Sequence, residues 1–319
     1  MRRLARNVLL FAAAVAALQG VVGHKVPKEI GRFDRALSRP MDIVYFCDST
    51  NFAYAREDAD KRRMSRVLQD RLPDREVFAL DHGAFNMRMY LALCRYMVRR
   101  GRKPDLLIVP VNMRSFSPGW DLRPDWQFER ELFLLRHPRL RCFFKPLAVF
   151  KAVCTNEISV DDYQRTAVYC GEELVGTVAQ FDFARAAGAT LTEEQVRKTL
   201  IFHYMYSLEP DHRLLRAMRE IVDTLRPIGA KVIFYATPLP VDTGENYLPG
   251  RFRKAVAANV EIVKSTLREK DAALLDLTQQ VPADCFSWTL YPDEHLNQRG
   301  KAVVADRLAE AVRAANDPP

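Results

Sequence analysis

Four residues of different chemistry, Ser49, Gly83, Asn112 and His295, each follow an apolar run in this chain, and together they could carry out acyl transfer. Ser49 sits in FCDSTNF (46–52), directly after Ile43-Val44-Tyr45. A serine hydroxyl is a poor nucleophile near neutral pH unless an adjacent base takes its proton. His295, in YPDEHLNQRG (291–300), is the candidate base, and the nearby Asp293 could hold its imidazole in the right tautomer and stabilise the charged form. The tetrahedral intermediate of such a reaction needs hydrogen-bond donors for its oxyanion. The backbone N–H groups of Ser49 and Gly83 and the side-chain amide of Asn112 are the three candidates. Glycine at 83 suits a close backbone approach.

Each of these residues also has an ordinary reading. Asp, Ser, Thr and Asn after a strand are common turn and cap residues, Gly83 could be a turn glycine, and Asn112 could cap the end of a strand. His295 could simply precede a helix. The conjunction of types and positions carries the chemical reading, and it makes Asp48 and Thr50 positioning neighbours of Ser49.

The elements that must position these residues can be read from apolar periodicity. Strands are expected at 42–46, 77–80, 106–111, 231–236 and 273–277, and helices at about 60–72, 86–100, 211–226, 251–270 and 300–314. Asn86 is the expected helix cap, and Gly101 and Gly229 the expected terminators. LLIVPV (106–111) is apolar throughout, as a strand buried on both faces should be. Alternating strands and helices imply an α/β fold: a doubly wound, flavodoxin-like parallel sheet of about five strands with helices on both faces. In such a sheet the working residues gather beyond the carboxyl ends of the strands. Ser49, Gly83, Asn112, Pro238 and the loop bearing His295 all fall at that edge. From about 115 to 206 the pattern loosens, which reads as an irregular insertion in the domain spanning 41–319.

The order Ser, Gly, Asn, His in four blocks resembles the SGNH, or GDSL-like, hydrolase superfamily. FCDST (46–50) and DEHLNQRG (293–300) carry the resemblance most strongly, and PVNMRSFSP (110–118) adds to it. It implies Ser49 as nucleophile, Gly83 and Asn112 in the oxyanion hole, and His295 as base. Three departures stand out: Cys47 replaces the usual glycine before Asp-Ser, Met113 follows Asn112 where an Asp is usual, and Asp293 lies two residues before His295 instead of three. The last leaves open whether Asp293 or Glu294 orients His295, or whether a Ser-His pair suffices. The shorter Asp-x-His-Leu-Asn form is similar to that of envelope-associated members, including polysaccharide O-acetyltransferases. That resemblance implies an acylated glycan or other ester as substrate, with a membrane-bound acyltransferase as partner if the acyl group is transferred.

The first 40 residues differ from the rest. MRRLARN carries three arginines, and residues 8–23 are free of charge, the layout of an export signal. A helix of about 16 residues rises roughly 24 Å, short of a hydrocarbon core of roughly 30 Å, so cleaved signal and membrane anchor both remain open. Either places the globular part outside the cytoplasm, on the periplasmic or extracytoplasmic side. Residues 24–40 read as a polar linker.

Net charge is +8 and 48% of the 319 residues are hydrophobic, so the chain can bury a large core while favouring anionic partners. Nucleic acid is not among them, because no zinc finger, RNP-like aromatic pattern or helix-turn-helix signature accompanies the charge. No His, Cys, Asp and Glu spacing suits a metal and no glycine-rich loop suits a phosphate cofactor, so neither is expected. Of the six cysteines, Cys142, Cys154 and Cys170 are close enough in sequence for a disulfide in an oxidising compartment, whereas Cys47 and Cys94 fall in apolar runs as plain buried thiols. His82 reads as a solvated loop residue and His203 as packed. The expectation is an exported serine esterase or O-acyltransferase; the alternative is a non-catalytic, polysaccharide-binding protein of the same fold.

Overall fold

The computed structural model describes residues 2–22, 27–121, 128–137, 160–170, 173–180, 191–287 and 292–316. Five parallel strands form one sheet: β1 (Met41–Cys47), β2 (Val77–Asp81), β3 (Pro104–Val111), β6 (Lys231–Ala236) and β7 (Leu274–Asp276). Between β3 and β6 a separate antiparallel hairpin is formed by β4 (Ala167–Cys170) and β5 (Glu173–Thr177). The spatial order β2-β1-β3-β6-β7, with the hairpin set aside, is the 2-1-3-4-5 order of flavodoxin-like sheets. The expected α/β fold is the one observed.

Parallel strands covered on both faces must be apolar on both sides. On β1, Val44 and Phe46 enter one core, with Tyr90, Leu107 and Phe234, while Ile43, Tyr45 and Cys47 enter the other, with Leu68, Ile108 and Val304. The helices Met87–Arg99 and Arg213–Leu225 pack over the first face, and Met64–Arg71 and Gln298–Asn316 over the second.

Two expectations are corrected. The stretch read as a polar linker contains a helix, Lys28–Ala36, whose Ile30 and Phe33 are fully buried. Its three apolar anchors, Ile30, Phe33 and Ala36, recur every third residue, a short amphipathic stripe masked by five charged neighbours. The span read as an irregular insertion ends in a regular helix, Glu193–Tyr204, opened by a capping box between Thr192 and Gln195 and buried through Leu200, Ile201 and Phe202.

The Arg2–Val22 segment is helical, with Leu4, Val8, Leu9, Leu10 and Phe11 exposed. Among the described residues no helix is long and apolar enough to cross a membrane. Cys47, Cys94 and Cys285 are buried free thiols. Cys142 and Cys154, and the side chain of Cys170, lie outside the described residues.

Candidate active site

Two loops beyond the carboxyl edge of the sheet, one after β1 and one before the C-terminal helix, bring Ser49, Asp293 and His295 together. The Nε2 of His295 lies 3.0 Å from Ser49 Oγ, and its Nδ1 lies 2.9 Å from Asp293 Oδ2. The other carboxylate oxygen of Asp293 accepts the His295 backbone N–H at 3.0 Å. Asp293, and not Glu294, therefore touches the imidazole.

Local sequence explains how each residue is held. Ser49 opens a short 3-10 turn, Ser49–Asn51, capped by Asp48, whose Oδ1 accepts from Thr50 N at 2.9 Å and Thr50 Oγ1 at 2.7 Å. A first-turn amide such as Ser49 N–H has no acceptor within its own turn, so it remains available to a ligand. On the other side, Ser287 N donates to His295 O at 2.8 Å and Asn297 N to Cys285 O at 3.0 Å, fastening the histidine loop to residues 285–287. Asn297 Oδ1 accepts from Arg299 N and Gly300 N, capping the C-terminal helix. Gly300 passes so close to this loop that an added Cβ would stand 2.4 Å from the carbonyl oxygen of Cys285.

Gly83 lies in a turn from His82 to Phe85, closed by Phe85 N donating to His82 O at 3.3 Å. The left-handed position of this turn is Ala84, with φ of 65°, not Gly83. A Cβ on Gly83 would meet only the Phe52 ring, at 3.8 Å. Glycine here keeps the surface beside Phe52 open, and no steric clash demands it. His82, expected to be solvated, is half-buried and stacks on Phe85 with ring centroids 4.7 Å apart. His203 packs against the Phe202 and Tyr204 rings.

Asn112 departs from its expected use. Its Oδ1 accepts from Arg114 N at 3.0 Å, which makes it the cap of the 3-10 turn Met113–Phe116. Its Nδ2 donates to Asp48 Oδ2 at 2.9 Å and to Glu294 Oε1 at 3.0 Å. Exchanging the amide oxygen and nitrogen would set oxygen against two carboxylates, so this orientation is fixed by its partners. Both amide hydrogens are engaged, and none is directed at an oxyanion in this arrangement.

Behind the Ser-His-Asp set runs a buried polar network that the sequence did not reveal. Glu294 is fully buried and accepts from Asn112, from Tyr204 OH at 2.7 Å and from Arg114 Nη2 at 2.6 Å. Arg114 in turn stacks over Trp120, 5.7 Å from the ring centroid. Tyr45 and Tyr235 share a hydroxyl contact of 2.5 Å. The detectable signal was Arg114, two residues after Asn112, a charge set just past the apolar run 106–111. Tyr204 lay in the span read as irregular.

Burial and charge act against each other here. Burial is the largest influence on Glu294 and pushes its pKa up, but Arg114, His295 and the bonds from Asn112 and Tyr204 outweigh it and hold the carboxyl below its ordinary range. Burial likewise pulls His295 down, yet the hydrogen bond and charge of Asp293, with help from Glu294, leave it above the ordinary imidazole value. Burial raises the Cys47 thiol well above its usual value, so Cys47 is a neutral core group.

No family model and no curated protein matches the chain. Among solved structures, the chain is similar to Axe2, an acetylxylan esterase from Geobacillus stearothermophilus, at 13% identity over 85% of this chain and 94% of that one, with a TM-score of 0.41. It is also similar to a candidate acylhydrolase of Bacteroides fragilis NCTC 9343, at 11% identity over 92% of this chain and 100% of that one, with a TM-score of 0.44. At such distances the likeness carries no argument, and the roles of residues come from this chain's own geometry.

Proposed function

We propose that the protein is an acyl-ester enzyme that works through an acyl-serine intermediate on Ser49. The observation that carries this reading is the 3.0 Å contact of Ser49 Oγ with an imidazole whose other nitrogen is held by Asp293. His295 Nε2 takes the Ser49 proton as Oγ attacks the ester carbonyl, and Asp293 stabilises the imidazolium that forms. The N–H groups of Ser49 and Gly83 receive the oxyanion. As the C–O bond breaks, His295 returns the proton to the departing alkoxide, releasing an alcohol and leaving acyl-Ser49. A second hydroxyl, from water or a sugar, then attacks with His295 again as base, giving esterase or O-acyltransferase activity respectively.

The setting we infer is the cell envelope, with an acylated glycan as substrate. Three arginines at the start of the Arg2–Val22 helix, ahead of an uncharged apolar stretch whose Val8, Leu9, Leu10 and Phe11 are exposed, support export through the N-terminus, as a cleaved signal or an anchor. Transfer in place of hydrolysis would require an acyl donor, for which a membrane-bound acyltransferase is the expected partner. Comparing acetate release with acetyl transfer to an oligosaccharide separates the two: fast release unaffected by acceptor would reject transfer.

One observation favours a second reading, a non-catalytic glycan-binding protein of the same fold: the amide of Asn112 is engaged by Asp48 and Glu294 and so is withheld from an oxyanion. Hydrolysis of an activated acetyl ester by the purified protein, abolished in Ser49→Ala, would reject it. Equal rates in the two proteins would reject the enzyme reading.

A further inference from the structure

The turn that carries Gly83 places its residues in an inverted order. His82, Gly83, Ala84 and Phe85 form a four-residue turn closed by Phe85 N donating to His82 O at 3.3 Å. Its third residue, Ala84, has a φ of 65°, whereas Gly83, the second, lies outside the left-handed region. That is the pattern of a type II turn, whose third position normally takes glycine because a Cβ there is strained. Turning the Gly83–Ala84 peptide over would give a type I turn, which suits alanine. The surroundings must therefore hold this peptide against the preference of its own residues.

The holding group is the imidazole of His82. Its Nδ1 lies 2.6 Å from Gly83 O. A carbonyl oxygen only accepts, so Nδ1 carries a proton, either in the neutral Nδ1–H tautomer or in the imidazolium. The ring is itself held: it stacks on Phe85 with centroids 4.7 Å apart and meets Phe128 edge-on at 5.7 Å, and both phenylalanines are buried. The backbone of the turn is tied to the nucleophile strand by His82 N, which donates to Cys47 O at 3.4 Å. Cys47 and Asp81 are partners in the parallel ladder, so Ser49 and Gly83 each stand two residues past the same pair. A restraint on Gly83 is thus a restraint beside Ser49.

We propose that His82 is a positioning residue for the acyl-ester reaction: by drawing the Gly83 carbonyl to its imidazole, it keeps that oxygen away from the oxyanion received by the Gly83 N–H. The inference rests on the proposed acyl-serine function. In a trans peptide the C=O and N–H point opposite ways, so fixing Gly83 O also fixes the direction of Ala84 N–H. If this peptide turned over, a carbonyl oxygen would replace the N–H on the side away from the imidazole and would repel developing negative charge there. His82 touches no reacting atom in this role. Gly83 has more backbone freedom than any residue with a side chain, and the imidazole supplies the restraint that a Cβ would otherwise give.

The test joins spectroscopy and kinetics on the full chain. Proton–nitrogen correlation NMR at about pH 9, where an ordinary imidazole is neutral, should show His82 protonated at Nδ1 and bare at Nε2. In hydrolysis of an activated acetyl ester, His82→Phe keeps a ring against Phe85 and removes the donor. It should lower kcat about ten- to a hundredfold, with KM within about twofold of wild type. His82→Asn, whose amide can donate from nearly the same place, should recover most of that loss. The proposal is overturned if His82 carries its proton on Nε2, if folded His82→Phe keeps the wild-type kcat, or if His82→Asn is as slow as His82→Phe. Where His82→Phe does not fold, the tautomer decides, and a loss of more than about tenfold in His82→Asn also overturns it. Ser49→Ala is measured alongside. A wild type as slow as Ser49→Ala rejects the acyl-serine reading, whereas an active wild type indifferent to His82→Phe rejects only the role of His82.

Discussion

Asp293 grips His295 at two points: one carboxylate oxygen meets Nδ1 at 2.9 Å while the other accepts the backbone N–H of the same residue at 3.0 Å. An aspartate two residues upstream can bond the backbone amide in a local Asx-type turn. That bond turns the carboxylate back toward the imidazole and allows a spacing of two to hold the ring. Glu294, next to the histidine, points the opposite way into the buried network. Asp293→Asn should then favour the wrong tautomer and lower kcat for acetyl-ester hydrolysis by about a thousandfold or more. A loss of less than tenfold would mean that a Ser-His pair suffices.

The same contact sets a pH dependence. His295 acts as a base only when neutral, and its pKa is raised above the ordinary value of about 6.5 by Asp293 and Glu294 against the opposing effect of burial. The acidic limb of kcat/KM should therefore have its midpoint above about 6.5, and Asp293→Ala should move that midpoint down as it lowers the maximum. As to stability, a raised folded pKa contributes stabilisation that is complete below the unfolded imidazole pKa and is lost as pH rises through the folded one. A pH–rate profile with its midpoint at or below 6.5 would contradict the assignment.

Arg114 and Glu294 are a buried pair whose separation should be costly. Arg114→Met leaves the Glu294 carboxylate uncompensated and should destabilise the fold by about 3–5 kcal/mol in urea unfolding. Adding Glu294→Gln should recover much of that loss, because the glutamine carries no charge. The depressed pKa of Glu294 has its own signature. Its stabilisation is present above the unfolded carboxyl value of about 4.3 and is lost as pH falls through the lower folded value. In the Glu294→Gln single variant this acid-side loss should be reduced.

Gly300 offers a test of the histidine loop at a residue that touches no substrate. A Cβ there would stand 2.4 Å from the Cys285 carbonyl, on the segment 285–287 that the Ser287 N to His295 O and Asn297 N to Cys285 O bonds tie to the histidine loop. Gly300→Ala must push helix and loop apart, at a cost of about 1–3 kcal/mol, and should lower kcat by displacing His295 relative to Ser49. An alanine variant with unchanged stability and unchanged kcat would show that the loop accommodates the methyl group without moving the base.

Much of this arrangement was legible in the sequence because it lay in strong patterns. The apolar run before Ser49 and the continuous LLIVPV stretch each signalled a strand, and strands alternating with helices put their carboxyl ends on one edge. What could not be read depended on contacts distant in sequence. Asn112 offers an amide to either an oxyanion or a carboxylate, and only the fold, which brings Asp48 and Glu294 to it, decides the matter. Tyr204 reaches Glu294 across 90 residues from a helix whose aromatic pattern looked irregular. Lys28–Ala36 escaped notice because three buried residues among many charges give a weak periodic signal.

The central claim is that Ser49 is an activated nucleophile, and its most direct test is labelling by a fluorophosphonate followed by mass mapping of the adduct. The account predicts a single adduct on Ser49, absent in Ser49→Ala and formed far more slowly in folded His295→Ala. Folded wild-type protein that takes no label, or Ser49→Ala labelled as readily as wild type, would contradict it.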